Sequence, residues 1–309
     1  MKAAYFEQHG GPEVMMYGDL PDPIAATGEV VVDIYAASVN GADWKVRSGQ
    51  YSQVAAFPYI LGRDFSGVIS AVGEGVHDLE VGDAVFGVCA VGQEGTYCEK
   101  IAIKADLVAK KPDAVAHKQA AALALIGLTA LVTVEDTLKL KSGETILIQG
   151  GAGGVAGFAI ELAKHIGARV ITTTSARNYD YVQSLGADQV IDYNASDFTE
   201  VVSDCDAVFD TVGGDVAVRS FAVLKSGGRA AFIASGPSAP ESPRSDLTAL
   251  RPKVGRDRPH LERIVELFEA GAVHVPEITT FPLHEAEAAQ RVSESRHLRG
   301  KLVFEVRAL

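Results

Sequence analysis

Basic charge, cysteine and long apolar runs are what this sequence has least of. Its 309 residues carry 28 Lys and Arg against 40 Asp and Glu, a net charge of −12. That balance repels polyanions and argues against a nucleic-acid partner. Only 3 cysteines are present. Cys89, Cys98 and Cys205 are too widely spaced for a disulfide framework, which points to a reducing, cytoplasmic compartment. Each also reads as a small buried apolar residue. No apolar run approaches the ~18 residues of a membrane span. The opening Met1-Lys2-Ala3-Ala4-Tyr5-Phe6 has no signal-peptide stretch. Without membrane or disulfides, the fold must rest on its core, and an apolar fraction of 47% is enough to build one. At ~150 residues per domain, the length suggests about two domains.

What is present is glycine, densest in Gln149-Gly150-Gly151-Ala152-Gly153-Gly154-Val155-Ala156-Gly157. The preceding Thr145-Ile146-Leu147-Ile148 reads as a buried strand. Residues 158–166 read as a helix, with Gly167 where a C-cap would stand. Gly151-x-Gly153-x-x-Ala156 fits the dinucleotide fingerprint in its required strand–turn–helix setting. The small residues allow a tight turn, close approach of a pyrophosphate and close helix–strand packing, and the helix N-terminus faces the anion. Gly151, Ala152, Gly153, Gly154 and Val155 are therefore candidate cofactor contacts. The other reading is a plain tight turn.

The next strand, 168–174, should end at the adenosine ribose, where NAD enzymes place an Asp or Glu. Here the tip reads Thr173-Thr174-Ser175-Ala176-Arg177-Asn178, with no carboxylate before Asp180. Thr174, Ser175 and Arg177 suit a 2′-phosphate, so NADPH is favoured over NADH. Further strands are read at 190–193, 207–212 and 227–236. Their alternation with helical stretches indicates a doubly wound parallel sheet.

The first third is different. Strand-like runs at 30–36, 65–73, 83–88 and 102–103, punctuated by glycines, suggest a small barrel or sandwich. Between them, residues 38–51 mix polar, aromatic and charged side chains. That stretch is either a loop whose Asn and Asp bond their own backbone or a chemical site.

The order of pieces carries a resemblance. A strand, Asn40-x-x-Asp43, Leu61-Gly62-Arg63-Asp64-Phe65-Ser66-Gly67-Val68, Gly73-x-Gly75-Val76 and Val81-Gly82-Asp83-Ala84-Val85 follow one another. In this the chain resembles the zinc-free medium-chain dehydrogenase/reductases, the quinone oxidoreductases and enone reductases. Zinc-dependent members carry Cys where Asn40 stands and His-Glu where Arg63-Asp64 stands, and no cysteine cluster for a structural zinc is present, so no metal is expected. Arg63 would then be structural, bonded to Asp64 or Asp43.

The resemblance implies an α/β protein of two domains. One is a GroES-like, partly open β-barrel catalytic domain, residues 1–122 and 275–309. The other is a Rossmann NADPH-binding domain, residues 123–274. It places Thr129 beside the nicotinamide, on a helix read at 120–132, although a core helix with an internally bonded threonine reads the same way. Tyr193 falls at the adenine end, or is only an interface aromatic. Val212, Ile233, Ala234 and Ser235 fall in nicotinamide-side loops. Catalytic candidates are Asn40, Asp43, Lys45 and Tyr51, and the partner is a small-molecule quinone or enone. A homodimer is implied by the resemblance alone. The proline-rich stretch 236–260 is an exposed loop or a lid. Residues 261–271 and 284–296 are expected as helices. Two other functions stay open, an NADPH-binding sensor or structural protein with little turnover, and a carbonyl-to-alcohol reductase.

Overall fold

The computed structural model describes residues 1–51 and 54–307; Ala308 and Leu309, at the end of the expected 275–309 segment, lie outside the described residues. The chain divides into two compact units. The first comprises Met1–Leu125, Arg256–Val265 and Val275–Leu309, the second Ile126–Gly255 and Glu266–His274.

In chain order the strands are β1 (Lys2–Phe6), β2 (Met16–Asp19), β3 (Glu29–Val39), β4 (Tyr59–Ile60), β5 (Asp64–Val72), β6 (Ala84–Val88), β7 (Lys100–Lys104) and β8 (Val108–Lys110), with the short helix α1 (Asp43–Arg47) between β3 and β4. There follow α2 (His117–Leu131), β9 (Thr145–Gln149), α3 (Gly154–Ile166), β10 (Arg169–Thr174), α4 (Tyr179–Ser184), β11 (Gln189–Asp192), α5 (Phe198–Val201), β12 (Cys205–Asp210), α6 (Asp215–Arg219), β13 (Leu224–Phe232) and β14 (Thr248–Leu250). The chain ends with α7 (Arg258–Glu269), β15 (Ile278–Pro282), α8 (Ala286–Glu294) and β16 (Lys301–Glu305).

In the first unit, β3 is the organising strand. It pairs antiparallel with β5, β7 and β16, while β6 and β8 extend the sheet beyond β5 and β15 joins β16. The alternating apolar residues of β3 reach into a core shared with Phe6, Leu61, Phe65 and Phe304. Burying each such side chain stabilises the fold by roughly 1.5–3 kcal/mol. A small sheet, β2-β1-β4, completes this unit's strands. Helix α1 occupies part of the stretch that composition left between loop and site. It is held by Arg47, which is fully buried, donates to Gln290 and pairs with Glu294 at 2.7 Å.

The second unit's sheet runs β11-β10-β9-β12-β13-β14, all parallel. This is the doubly wound order that grows outward on both sides of the first strand. β9 lies between β10 and β12 and is buried from Ile146 to Gln149, in keeping with its nearly continuous apolar sequence. Gly167 ends α3 in the left-handed conformation, φ 91°, as a glycine C-cap does.

Three expectations are corrected. Residues 256–265, assigned from sequence to the nucleotide-binding domain, belong to the first unit. Arg256 Nη1 donates to the carbonyls of Cys89 and Ala90, and Arg258 donates to those of Val108 and Ala105 and pairs with Asp78. The stretch 236–260 is not loop throughout, because Leu247 is buried and β14 pairs with Arg229, Ala230 and Ala231 of β13. Finally, α2 continues as a π-helical turn, and the combined His117–Thr137 is long and apolar enough to cross a membrane by length and composition. Its apolar window is 72% buried inside the protein, as in a core helix.

Candidate functional site

The first unit gathers a polar cluster at one end of β3. Strand register makes it. Ser38 lies opposite Asp64, and Val39 lies opposite Leu302, which brings Lys301 beside Asn40. Asn40 Nδ2 donates to Asp64 Oδ1 at 2.7 Å, and Asn40 Oδ1 accepts from Lys301 Nζ at 2.8 Å. Lys301 also donates to the Val39 carbonyl and is almost fully buried, which lowers its pKa. Ser38 donates to the other Asp64 oxygen.

Asp43 opens α1. It is fully buried, and its Oδ2 accepts from the Asn40 N–H at 2.8 Å and from the Tyr97 hydroxyl at 2.6 Å. Burial raises its pKa, and the Arg63 guanidinium, 3.7 Å away, pulls it back. Arg63 donates through Nε and Nη2 to Glu94 Oε1 at 2.9 and 2.6 Å. Burial works against the Arg63 charge, but Asp43 and Glu94 outweigh it and hold its pKa above the ordinary value. Glu94 is pushed up to about 7, mainly by burial and by Asp43. The exposed Tyr51 ring faces Arg63, with 5.4 Å from guanidinium carbon to ring centroid.

Among the catalytic candidates, Asn40, Asp43 and Tyr51 thus meet around Asp64 and Arg63. Lys45 lies over Trp44, its pKa lowered by burial and by Arg296. Asp43 has no exposed surface and accepts from Asn40 and Tyr97 through Oδ2, while Oδ1 faces the Arg63 guanidinium at 3.7 Å without a hydrogen bond. Arg63 takes Glu94 as its main partner, with Asp43 second, and not Asp64.

In the second unit the candidates collect at the carboxyl edge of the parallel sheet. Gly150 leaves β9 with φ 79°, and its N–H donates to Thr173 Oγ1. A Cβ on Gly151 would run into Thr172 Oγ1, a buried hydroxyl already bonded to the Ile148 carbonyl. Gly153 precedes α3, and among the described residues no side chain caps the helix's first N–H groups. Ala152 is buried, while Gly153, Gly154 and Val155 are partly exposed. Beneath the turn, Gln149 accepts from Thr173 at 2.6 Å and donates to Ser220 at 3.1 Å, a buried brace.

Thr174 ends β10 with its side chain buried. Its carbonyl accepts from the Tyr193 N–H, so Tyr193 stands at the same edge with its ring exposed. Ser175 accepts from Asn178, and Arg177 is exposed beside it. Past β12, Asp210 accepts from the Val212 and Gly213 N–H groups. Gly213 has φ 80°, and a Cβ there would stand 2.6 Å from the Ala234 carbonyl oxygen, so the loops after β12 and β13 touch. β13 ends at Phe232, which leaves Ile233, Ala234 and Ser235 in that loop and not in the strand read at 227–236. The Ser235 hydroxyl is buried without a partner among the described residues. Thr129 lies within α2, its carbonyl accepting from the Thr133 hydroxyl.

Known proteins share this arrangement. Residues 26–113 match the alcohol dehydrogenase GroES-like domain, and residues 185–304 match the family described as zinc-binding dehydrogenase. Quinone oxidoreductase 1 of Escherichia coli is 31% identical over 96% of this chain and 96% of its own. The chain belongs to the quinone oxidoreductases of the medium-chain dehydrogenase/reductase family. The solved quinone oxidoreductase of Coxiella burnetii superposes with a TM-score of 0.91 at 34% identity, covering 99% of each chain. The Escherichia coli quinone oxidoreductase complexed with NADPH gives 0.90 at 29% identity, over 99% of this chain and 100% of that one.

Set within that family, several site residues escaped sequence reasoning. Lys301, Glu94 and Tyr97 lie far along the chain from Asn40 and carry no local signal. Gln149 had one, a polar residue closing an apolar strand just before a glycine turn. The donor set does not fit zinc. Where zinc-dependent relatives would carry ligands, Asn40 is an amide bonded to Asp64 and Lys301, and Arg63 is a cation bound to Glu94. Among the described residues, no group of three or more His, Cys, Asp and Glu could hold a metal ion.

Proposed function

We propose that the protein is an NADPH-dependent oxidoreductase that reduces quinones or α,β-unsaturated carbonyls without zinc. The carboxyl edge of the second unit's sheet carries this reading. It combines a glycine turn, an uncapped helix N-terminus, an unpartnered buried Ser235 hydroxyl and, past β10, Ser175 and Arg177 in place of a carboxylate. The backbone of Gly151 to Val155 would hold the pyrophosphate. Ser175 and Arg177 would take the 2′-phosphate. Tyr193 would meet the adenine, and Thr129, Val212 and Ile233 to Ser235 the nicotinamide half. Relatives support it, among them an NADPH-dependent alkenal/one oxidoreductase of Arabidopsis thaliana, 30% identical over 98% of this chain and 79% of its own.

When bound, NADPH supplies the hydride. Reduction leaves negative charge on the acceptor oxygen, which needs donors already in place. Lys301 holds Asn40 Oδ1, and Nδ2 donates to Asp64 at 2.7 Å and to the Ser38 carbonyl at 3.5 Å, so a bond to the acceptor would replace the long one to Ser38. Tyr51 offers an exposed hydroxyl whose ring is faced by the Arg63 cation. Lys45, its ammonium form weakened by burial, gives up a proton more readily than an exposed lysine. Asp43 fixes the Asn40 backbone from beneath. The bonded states of Asn40 and Arg63 support a zinc-free reaction. Three unpaired buried cysteines support a reducing, cytoplasmic location, and a homodimer is part of the same reading. The test is NADPH oxidation with benzoquinone and with enones, before and after chelation. Turnover insensitive to chelator is expected; NADPH binding without turnover would support a sensor instead.

A further inference from the structure

Among the described residues, Arg256 forms no ion pair. It stands just before α7 in the first unit, and its Nη1 donates to the carbonyls of Cys89 and Ala90 at 2.7 and 2.9 Å. Its Nε is buried with no partner, and among the described residues Nη2 has none. Other guanidinium groups of this unit are paired: Arg47 with Glu294, Arg63 with Glu94, Arg258 with Asp78. Burial and then the Arg63 charge lower the Arg256 pKa, while Cys89, Asp64 and Tyr51 act in the opposite direction. The Cys89 N–H in turn donates to the Arg63 carbonyl at 2.7 Å, which sets Arg256 beside Arg63, whose guanidinium the Tyr51 ring faces.

A purely structural arginine would have its remaining donors satisfied, since an unpaired half-buried charge is costly. Nη2, with no partner among the described residues and not enclosed as Nε is, is the donor left to meet a carboxylate oxygen in a charge-assisted bond. We propose that Arg256 is a specificity residue that recognises a carboxylate carried by the acceptor, so that the preferred substrates are acidic quinones or enones. The proposal rests on the reading of the first unit's cluster as the acceptor site.

Two acceptors differing by one ring carboxylate, cinnamaldehyde and carboxycinnamaldehyde, test it by their ratio of kcat/KM. The wild type is expected to favour the acid by about tenfold or more. Arg256→Gln should bring the ratio close to one, and Arg256→Lys, a point charge, should keep part of it. Calorimetry with benzoate and benzamide gives a readout without turnover. Benzoate should bind the wild type about tenfold more tightly than benzamide, and Arg256→Gln should erase the gap. A benzoate preference without turnover of either aldehyde would support the anion site while rejecting the proposed reaction. Equal ratios in wild type and Arg256→Gln would overturn the assignment. So would displacement of benzoate by the adenosine bisphosphate half of NADPH, since the anion would then be the cofactor's phosphate.

Discussion

Lys301 Nζ donates to Asn40 Oδ1 at 2.8 Å, and this one bond decides which end of the Asn40 amide can donate. An amide is nearly symmetric in shape, so only its partners fix its direction. With the oxygen held by an ammonium and the nitrogen directed to Asp64, the amide cannot turn over without losing both bonds. Lys301 is thus a positioning residue, remote in sequence but adjacent through the β3–β16 register.

The first prediction concerns that pair. Lys301→Met keeps most of the buried volume and removes the ammonium. It should lower kcat by between about 10- and 100-fold, the scale of a misplaced catalytic group, with little change in KM for NADPH. Lys301→Arg should recover part of the loss. Steady-state kinetics decides; an unchanged kcat in Lys301→Met would remove Asn40 orientation from the account.

The second concerns cofactor choice. Arg177 is exposed past the end of β10, where no carboxylate stands. Arg177→Ala should raise KM for NADPH by about 10-fold or more, the worth of a charge-assisted bond, and leave KM for NADH nearly the same. Equal effects on both cofactors would reject a phosphate-binding role.

The glycine turn, the strands around it and the absent carboxylate were legible because each depends on neighbours a few residues away. A β-branched strand, a glycine that must enter the left-handed region and a helix cap are local matters. The polar cluster was only half legible. Asn40, Asp43 and Tyr51 fall in one stretch, whereas Glu94, Tyr97 and Lys301 join them only when the strands pair. Composition also hid β14, a three-residue strand within a proline-rich stretch, and the attachment of residues 256–265, which rests on arginine side chains reaching backbone carbonyls elsewhere in the first unit.

The third prediction is a pH dependence. His117 is buried, bonded to Ser66 Oγ at 2.8 Å and stacked on Tyr35. Burial and then Lys111 push its pKa down to about 4. The unfolded chain, with an ordinary histidine near 6.5, gains a proton first as pH falls. Stability is therefore full above about 6.5, declines as pH drops and levels off below about 4. Denaturant unfolding should show His117→Gln losing about 2–3 kcal/mol less than wild type across that window. Parallel curves for the two proteins would contradict a buried neutral imidazole.

Deuteride transfer tests the central claim most directly. NADPH labelled at the nicotinamide's transferable hydrogen is incubated with the protein and an enone, and the product is read by NMR and mass spectrometry. The account predicts a saturated carbonyl compound with deuterium on the β-carbon. Deuterium on the carbinol carbon of an alcohol, or unoxidised NADPH across enones and quinones alike, would contradict it.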